Sequence, residues 1–455
     1  MRLRVRSHLL EKDTNMHAPR VNKYSVVRTL LLLFCSVLTL SGVLALPKVY
    51  ADILYIGDAA DKTIKRFDAS SGAFLDGDLD PSNNPDAFVR AKSGGLAGPR
   101  GMFVDGQQLI VANENVDNKG PGAVLRYNLN TGAFIAAWVP ATDNNAPFTP
   151  FGIVRESFPE EVLYVGSSTS SNGNSPGKLL TYNATGAFLA AFRSASSHGE
   201  FHPRGLVFGP DGVLYVAVQN FRSDGLGGQI MRFAADGKFL GAFISDKGGV
   251  GQLNRPEGLV FGPDGRLYVT SFRADANDRD SIRIYDQAGK FVDKINLSEL
   301  GKDRAFAQAL LFGPDKKLFV PITNTGEVRR YDVVTKQYLM LVPPAKSGGQ
   351  LREPWYLTFG STDAKTLSYQ EVVVGGPNLV RCFCGDGSTV DQCATLDCFS
   401  SAEQDAICAP ACENRGGELG TACFGGDPQC ATQSQAPATG AAALGKRQPP
   451  GQLGR

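Results

Sequence analysis

The sequence predicts an all-β chain: a six-bladed β-propeller over residues 52–375, closed by pairing its first and last strands, with a small disulfide-rich module after it. Three observations carry that prediction. A turn-and-strand unit recurs about every 50 residues. Each unit alternates apolar and polar residues between Gly and Pro turns. Eight of the nine cysteines lie between positions 382 and 430. Composition agrees, because 52 Gly and 26 Pro favour short strands joined by tight turns over long helices. With 42% hydrophobic and 20% charged residues the chain is neither disordered nor a polytopic membrane protein, and 46 Lys and Arg against 45 Asp and Glu exclude a strongly basic nucleic-acid binder.

The elements follow in chain order. Residues 30–45 form a short apolar core behind Lys23 and Arg28, and Val49 and Ala51 suit a signal peptidase, so residues 1–51 read as an export signal cleaved after Ala51. Met16 is an alternative start. An uncleaved signal anchor is the competing reading, since 16 residues approach the roughly 20 that span a bilayer, and it would be the only membrane contact. Leu33 and Phe34 before Cys35 argue against a lipoprotein signal. Residues 1–51 hold eight basic and two acidic residues, which leaves 38 basic against 43 acidic. A mildly acidic protein, secreted, periplasmic or at the cell surface, is expected.

From residue 52 the repeat sets the blades. Its fullest copies are Pro203-Arg204-Gly205-Leu206-Val207-Phe208-Gly209-Pro210-Asp211-Gly212 and Pro256-Glu257-Gly258-Leu259-Val260-Phe261-Gly262-Pro263-Asp264-Gly265. Each continues through a second strand (213–217, 266–270), a third (229–233, 282–285) and, in the first of them, a fourth at 238–243. Four strands at this period make a propeller blade. First strands are anchored at Gly101, Gly152, Gly205, Gly258, Ala309 and Tyr356. The N-terminal copy begins at its second strand (52–57, matching 161–166) and continues with a third (63–68), so 354–360 supplies its missing first strand. That closure hides sheet edges that would otherwise template aggregation. Seven blades is the alternative if 367–375 builds further strands.

These blades resemble NHL-repeat propellers and the wider group of gluconolactonase-like, strictosidine-synthase-like and virginiamycin-B-lyase-like proteins. The resemblance covers 52–375 and specifies fold far better than activity. It implies that the residue before each anchor stands where the innermost strand enters from the ligand-binding face: Arg100, Phe151, Arg204, Glu257, Gln308 and Trp355. Loops between second and third strands open on that face. They are long in four blades (113–122, 167–177, 219–228, 271–280) and short at 324–326 and 58–62, so a ligand is expected to enter near Gln308 and Trp355.

Gluconolactonase-like enzymes hold a divalent metal with Glu, Asn and Asp, because hard cations need oxygen ligands. Only Glu257 matches, and Arg100 and Arg204 stand where oxygen is needed, so no metal site is expected. Lyase-like relatives rely on His, and only His198 and His202 follow residue 51. His202, before a proline at a strand entry, is a rim residue or a ligand contact. Glu257 is the candidate general base if burial raises its pKa, or else the partner of Arg204 in a structural ion pair. Arg100, beside Trp355, is a stacked cation or a guanidinium fork for a carboxylate, phosphate or sugar. The oxygen-rich loops at Asn113, Asn115 and Asp117 and at Asp275, Asn277, Asp278 and Asp280 leave calcium as the one cofactor to consider, although Arg279 and Val124 break the loop template. No phosphate loop, dinucleotide fingerprint or serine elbow occurs.

Residues 376–432 carry Cys382, Cys384, Cys393, Cys398, Cys408, Cys412, Cys423 and Cys430, an even set that reads as disulfides in an exported chain. With few apolar residues, the bridges must supply the stability. Zinc is the alternative, at Cys382, Cys384, Cys408 and Cys412. Residues 433–455, rich in Ala, Gly, Pro and Gln, read as a disordered tail. The expected function is an exported binding or scaffold module that meets a protein, a carbohydrate or a small anionic ligand on its loop face through Arg100, Phe151, Arg204, His202, Gln308 and Trp355. The competing reading is a hydrolase or lyase with Glu257 as base.

Overall fold

A computed structural model of the protein describes residues 52–77, 86–117, 119–157, 160–169, 176–193, 201–220, 227–245, 251–370, 378–394 and 401–424. The signal at 1–51, the tail at 433–455, His198, Cys398, Cys430 and much of the loops at 167–177 and 219–228 lie outside them.

Six sheets form the propeller. Five have four antiparallel strands in chain order, from β3(Pro99–Asp105), β7(Pro150–Glu156), β11(His202–Phe208), β15(Pro256–Phe261) and β19(Leu311–Phe312) as innermost strands out to β6(Phe134–Val139), β10(Phe188–Phe192), β14(Phe239–Ile244), β18(Phe291–Asn296) and β22(Tyr338–Val342). The sixth joins both ends of the propeller chain, with β23(Pro354–Phe359) paired to β1(Ile53–Asp58) and β1 to β2(Thr63–Asp68). Among the described residues no full fourth strand completes this blade. The edge of β2 is covered instead by single bridges to Phe74 and Val89 and by the Asp76 carboxylate, which accepts the Arg66 amide at 2.6 Å.

The repeat is packing chemistry. In the third and fourth blades the Pro-Asp-Gly turn places Asp211 and Asp264 to accept the hydroxyls of Tyr215 and Tyr268, at 3.0 and 2.9 Å, from the next strand. In four blades the second-strand ring also meets the innermost-strand Phe of the following blade edge-on: Tyr164 with Phe208, Tyr215 with Phe261, Tyr268 with Phe312 and Phe319 with Phe359, at 5.0–5.2 Å between centroids. Such pairs contribute about 0.5–1.5 kcal/mol each beyond their buried area. They lock neighbouring blades in register.

Innermost strands approach closely at the anchors. A Cβ on Gly152 would lie 2.4 Å from the Arg204 carbonyl oxygen, and one on Gly205 would lie 2.6 Å from that of Glu257. Only glycine permits that spacing.

Residues 361–370 do not start a seventh blade. They turn under the far end of the axis, held by the Arg155 and Phe208 amides donating to the carbonyl oxygens of Ala364 and Lys365 and by an ion pair between Lys365 and Glu156. Leu367 lines the axial channel there.

The C-terminal module is a three-stranded sheet, β25(Thr389–Ala394), β24(Asn378–Cys384), β26(Glu418–Phe424), with a helix α1(Ser401–Cys412). Cys382 is bonded to Cys408 and Cys384 to Cys412, each with Cα atoms 5.2 Å apart. Cys393 is disulfide-bonded as well. The zinc reading fails at these four cysteines, which the strand and the helix bring together in pairs. All four are buried beside Val380, so the bridges are themselves the core.

Candidate functional site

Every site position rests on one irregularity. In β3, β7, β11 and β15 the pairing register slips immediately after the proline, so two residues of the inner strand oppose one of its neighbour. A similar slip occurs in β23 at Trp355. Such β-bulges re-aim side chains. Here they gather Arg100, Phe151, Arg204, Glu257 and Trp355 at the same end of the axis.

The assembled group is a ladder of rings and guanidinium groups. The Arg100 guanidinium lies 3.2 Å from the Trp355 ring centroid and 4.8 Å from that of Phe151. Arg204 covers Phe151 at 3.9 Å. Arg100 Nε donates to Glu114 Oε2 at 2.7 Å, and its Nη2 donates to the same oxygen. Arg204 Nη2 donates to Gln219 Oε1 at 3.1 Å, and Gln219 Nε2 donates to Glu257 Oε1 at 2.7 Å. Arg204 Nε stands 3.8 Å from Glu257 Oε2, an ion pair without a hydrogen bond.

Three of these residues were not singled out by sequence. Glu114 follows the last residue of the second strand β4(Gln108–Asn113), and Gln219 is the last residue of the second strand β12(Leu214–Gln219). Asn113, at that strand end, is occupied elsewhere, accepting the Ala97 and Gly98 amides ahead of Pro99. In the third blade the corresponding position is Val218, and the next residue, Gln219, reaches the site. Tyr356 occupies an anchor that is Gly or Ala in the other five blades, and that contrast was the available signal. Its phenol lies amid the charges of Glu257, Arg100, Arg204 and Glu114.

Burial sets the electrostatics. Desolvation holds the Glu257 carboxyl above its ordinary value of 4.5, against the opposing pull of Arg204, the Gln219 hydrogen bond, Arg100 and Arg255. Burial likewise pushes the Tyr356 phenol up and the Arg100 guanidinium down. Five buried atoms here have no hydrogen-bond partner in the protein: Arg100 Nη1, Arg204 Nε, Glu257 Oε2, Trp355 Nε1 and Tyr356 Oη. Ten other buried side-chain atoms among the described residues share this status, six of them Arg Nε, but here five lie at one end of the axis, open to water or another partner. Beside Tyr356, the channel past the anchor glycines has a volume of only about 40 Å³, room for roughly two or three waters.

Other expected positions differ. Gln308 is half-buried and precedes β19 rather than sitting on a paired strand. His202 is buried, and its Nδ1 donates to the Ser168 carbonyl oxygen at 2.7 Å, which fixes the proton on that nitrogen. In the oxygen-rich loop at 275–280, Asp280 accepts from Arg304 and from the Arg273, Ala305 and Phe306 amides. Among the described residues no three His, Cys, Asp or Glu side chains gather to hold a metal. A separate cleft of about 580 Å³ beside the fifth blade is lined by Arg304 and Arg329, which are paired with Asp280 and Glu327.

The fold is thus a six-bladed β-propeller with a polar cluster at one end of its axis. Among solved structures, the chain is similar to a Kuenenia stuttgartiensis hydrazine synthase (16% identity, 62% of this chain and 73% of that one, TM-score 0.43). It is similar also to a Staphylococcus aureus virginiamycin B lyase (13%, 63% and 79%, TM-score 0.40) and a Xanthomonas campestris gluconolactonase (17%, 54% and 76%, TM-score 0.40). No protein-family model and no curated protein matches the chain.

Proposed function

We propose that the protein is an exported binding module whose propeller takes a small polar molecule at the bulged end of its axis. One observation carries this reading: five buried polar atoms from four blades stand at that end without a hydrogen bond to the protein. A ligand that satisfied them would recover the cost of burying each one, about 1–3 kcal/mol. The disulfides of the C-terminal module fit an oxidising compartment, in keeping with export of the chain through residues 1–51.

The test is a titration panel of glycerol, glucose, acetate and phosphate followed by calorimetry, using wild type, Arg204→Ala and Tyr356→Phe. At least one compound is expected to saturate wild type and to weaken tenfold or more with Arg204→Ala. If no member binds, or binding is indifferent to both substitutions, the reading fails.

A second reading, a hydrolase or lyase with Glu257 as general base, is favoured by the burial that raises this carboxyl beside a phenol and two guanidinium groups. Turnover of δ-gluconolactone and p-nitrophenyl acetate by wild type and Glu257→Gln decides it. Equal rates remove Glu257 from any catalytic role.

A further inference from the structure

The charge inventory of the axial site narrows the ligand class, resting on the small-ligand reading above. Arg204 on β11, Arg100 on β3 and Arg255, just ahead of β15, all act on Glu257. The carboxylates of the cluster are Glu114, already bonded by Arg100, and Glu257 itself. Gln219 and Tyr356 complete the surroundings as neutral groups. Arg255 is itself acted on by Arg304 and Asp280, which are paired with each other. Four guanidinium groups against three carboxylates leave one net positive charge even with Glu257 ionised, which favours an anion where the dielectric is low.

The free hydrogen-bonding atoms agree. Arg100 Nη1, Arg204 Nε and Trp355 Nε1 can only donate, and Tyr356 Oη can donate. A ligand must therefore bring oxygen lone pairs. Three of the donors are carried by planar groups set over one another, Arg100 over Trp355 and Phe151 and Arg204 over Phe151, and flat N–H edges match a planar carboxylate better than a tetrahedral phosphate. One atom conflicts. Glu257 Oε2 accepts no hydrogen bond and has only the 3.8 Å ion pair with Arg204 Nε; as a carboxylate oxygen it would repel an incoming anion, whereas protonated it becomes another donor.

We propose that the axial site binds a small monocarboxylate together with one proton, taken up from solvent by Glu257. The balance is simple: one anion and one proton enter, no covalent bond forms, and the charge of the site is unchanged. Burial already biases Glu257 toward its protonated form. By linkage, carboxylate affinity is flat below the pKa of Glu257 in the free protein and falls about tenfold per pH unit above it.

The experiment is titration calorimetry of the purified protein with sodium acetate between pH 5 and 9, each pH in two buffers of different ionisation heat, with acetamide and inorganic phosphate as comparison probes. Acetate is expected to bind more tightly than either, with uptake approaching one proton at high pH. Glu257→Gln, a neutral donor of similar shape, is expected to bind acetate more tightly than wild type at high pH, with a flat profile and no proton uptake. Acetate binding without proton uptake at any pH overturns the coupling. Acetamide or phosphate binding as tightly as acetate overturns the carboxylate assignment, while the small-ligand reading stands. If none of the three binds, the inference falls, and the small-ligand reading survives only if glycerol or glucose binds with the expected sensitivity to Arg204→Ala. The wild-type proton count needs no variant to fold.

Discussion

Replacing Gly152 with alanine tests how the axis is built. The new methyl carbon would lie 2.4 Å from the Arg204 carbonyl oxygen, 2.8 Å from the Leu206 amide nitrogen and 3.0 Å from Gly205 Cα. All three are backbone atoms of the next innermost strand, so relief requires β7 and β11 to move apart. Overpacking of this kind costs about 1–3 kcal/mol. A propeller of about 320 residues, at about 2.1 cal/mol/K of unfolding entropy per residue, converts this to a fall in Tm of about 2–4 °C. Gly120→Ala is the control, since its nearest neighbour would be Asn115 Nδ2 at 3.6 Å. Thermal unfolding of wild type and both variants by circular dichroism is the assay. Equal midpoints for the two variants would refute the claim that close strand approach fixes these glycines.

Other consequences are as accessible. Gln219→Leu removes the hydrogen bonds to Arg204 and Glu257 and leaves a buried carboxyl less satisfied, so urea unfolding should show a loss of about 1–3 kcal/mol; no change would mean that solvent replaces the amide. Because the folded pKa of Glu257 lies above 4.5, the folded state holds its proton longer than the unfolded chain. Its contribution is therefore most favourable at low pH and is lost as pH rises from 4.5 through the folded value. Across that window Glu257→Gln should gain on wild type by about 1.4 kcal/mol per pH unit in urea midpoints converted to free energy, and a constant difference would contradict the raised pKa. Alkylation without reductant should leave Cys382, Cys384, Cys408 and Cys412 unlabelled by mass. Removing the Cys382–Cys408 bridge, with its sequence separation of 26, should cost the module about 3–4 kcal/mol.

The blades were legible because the repeat spells out their contacts: the Asp of the Pro-Asp-Gly turn, the Tyr that it accepts from, and the Phe under the next blade's ring. Blade count and closure followed from the anchors. The covering of β2 did not, because the described contacts on its edge are single bridges at Phe74 and Val89 and the Asp76 carboxylate, which leave no alternation to read. Within the site, Arg100, Phe151, Arg204, Glu257 and Trp355 share one register position, so a repeat alignment brings them together. Glu114, just past its strand, and Gln219, the last residue of its strand, stand where the repeat has already lapsed, and their roles depend on which neighbour is apolar, as Val218 is. Tyr356 was visible as an exception to glycine, but only the axial geometry gives the exception meaning. The helix of the C-terminal module had no periodic signal, since cystine rather than an apolar stripe holds it.

The claim at the centre of this account is that the unpartnered atoms at the bulged end of the axis form a carboxylate site. A crystal structure at high resolution, from crystals grown in acetate near pH 5, tests it most directly. The expected result is planar density accepting from Arg100 Nη1, Arg204 Nε, Trp355 Nε1 and Tyr356 Oη, with Glu257 Oε2 within hydrogen-bond distance of one acetate oxygen. Density showing these five atoms bonded to one another or to water alone, with acetate bound elsewhere or nowhere, would contradict it.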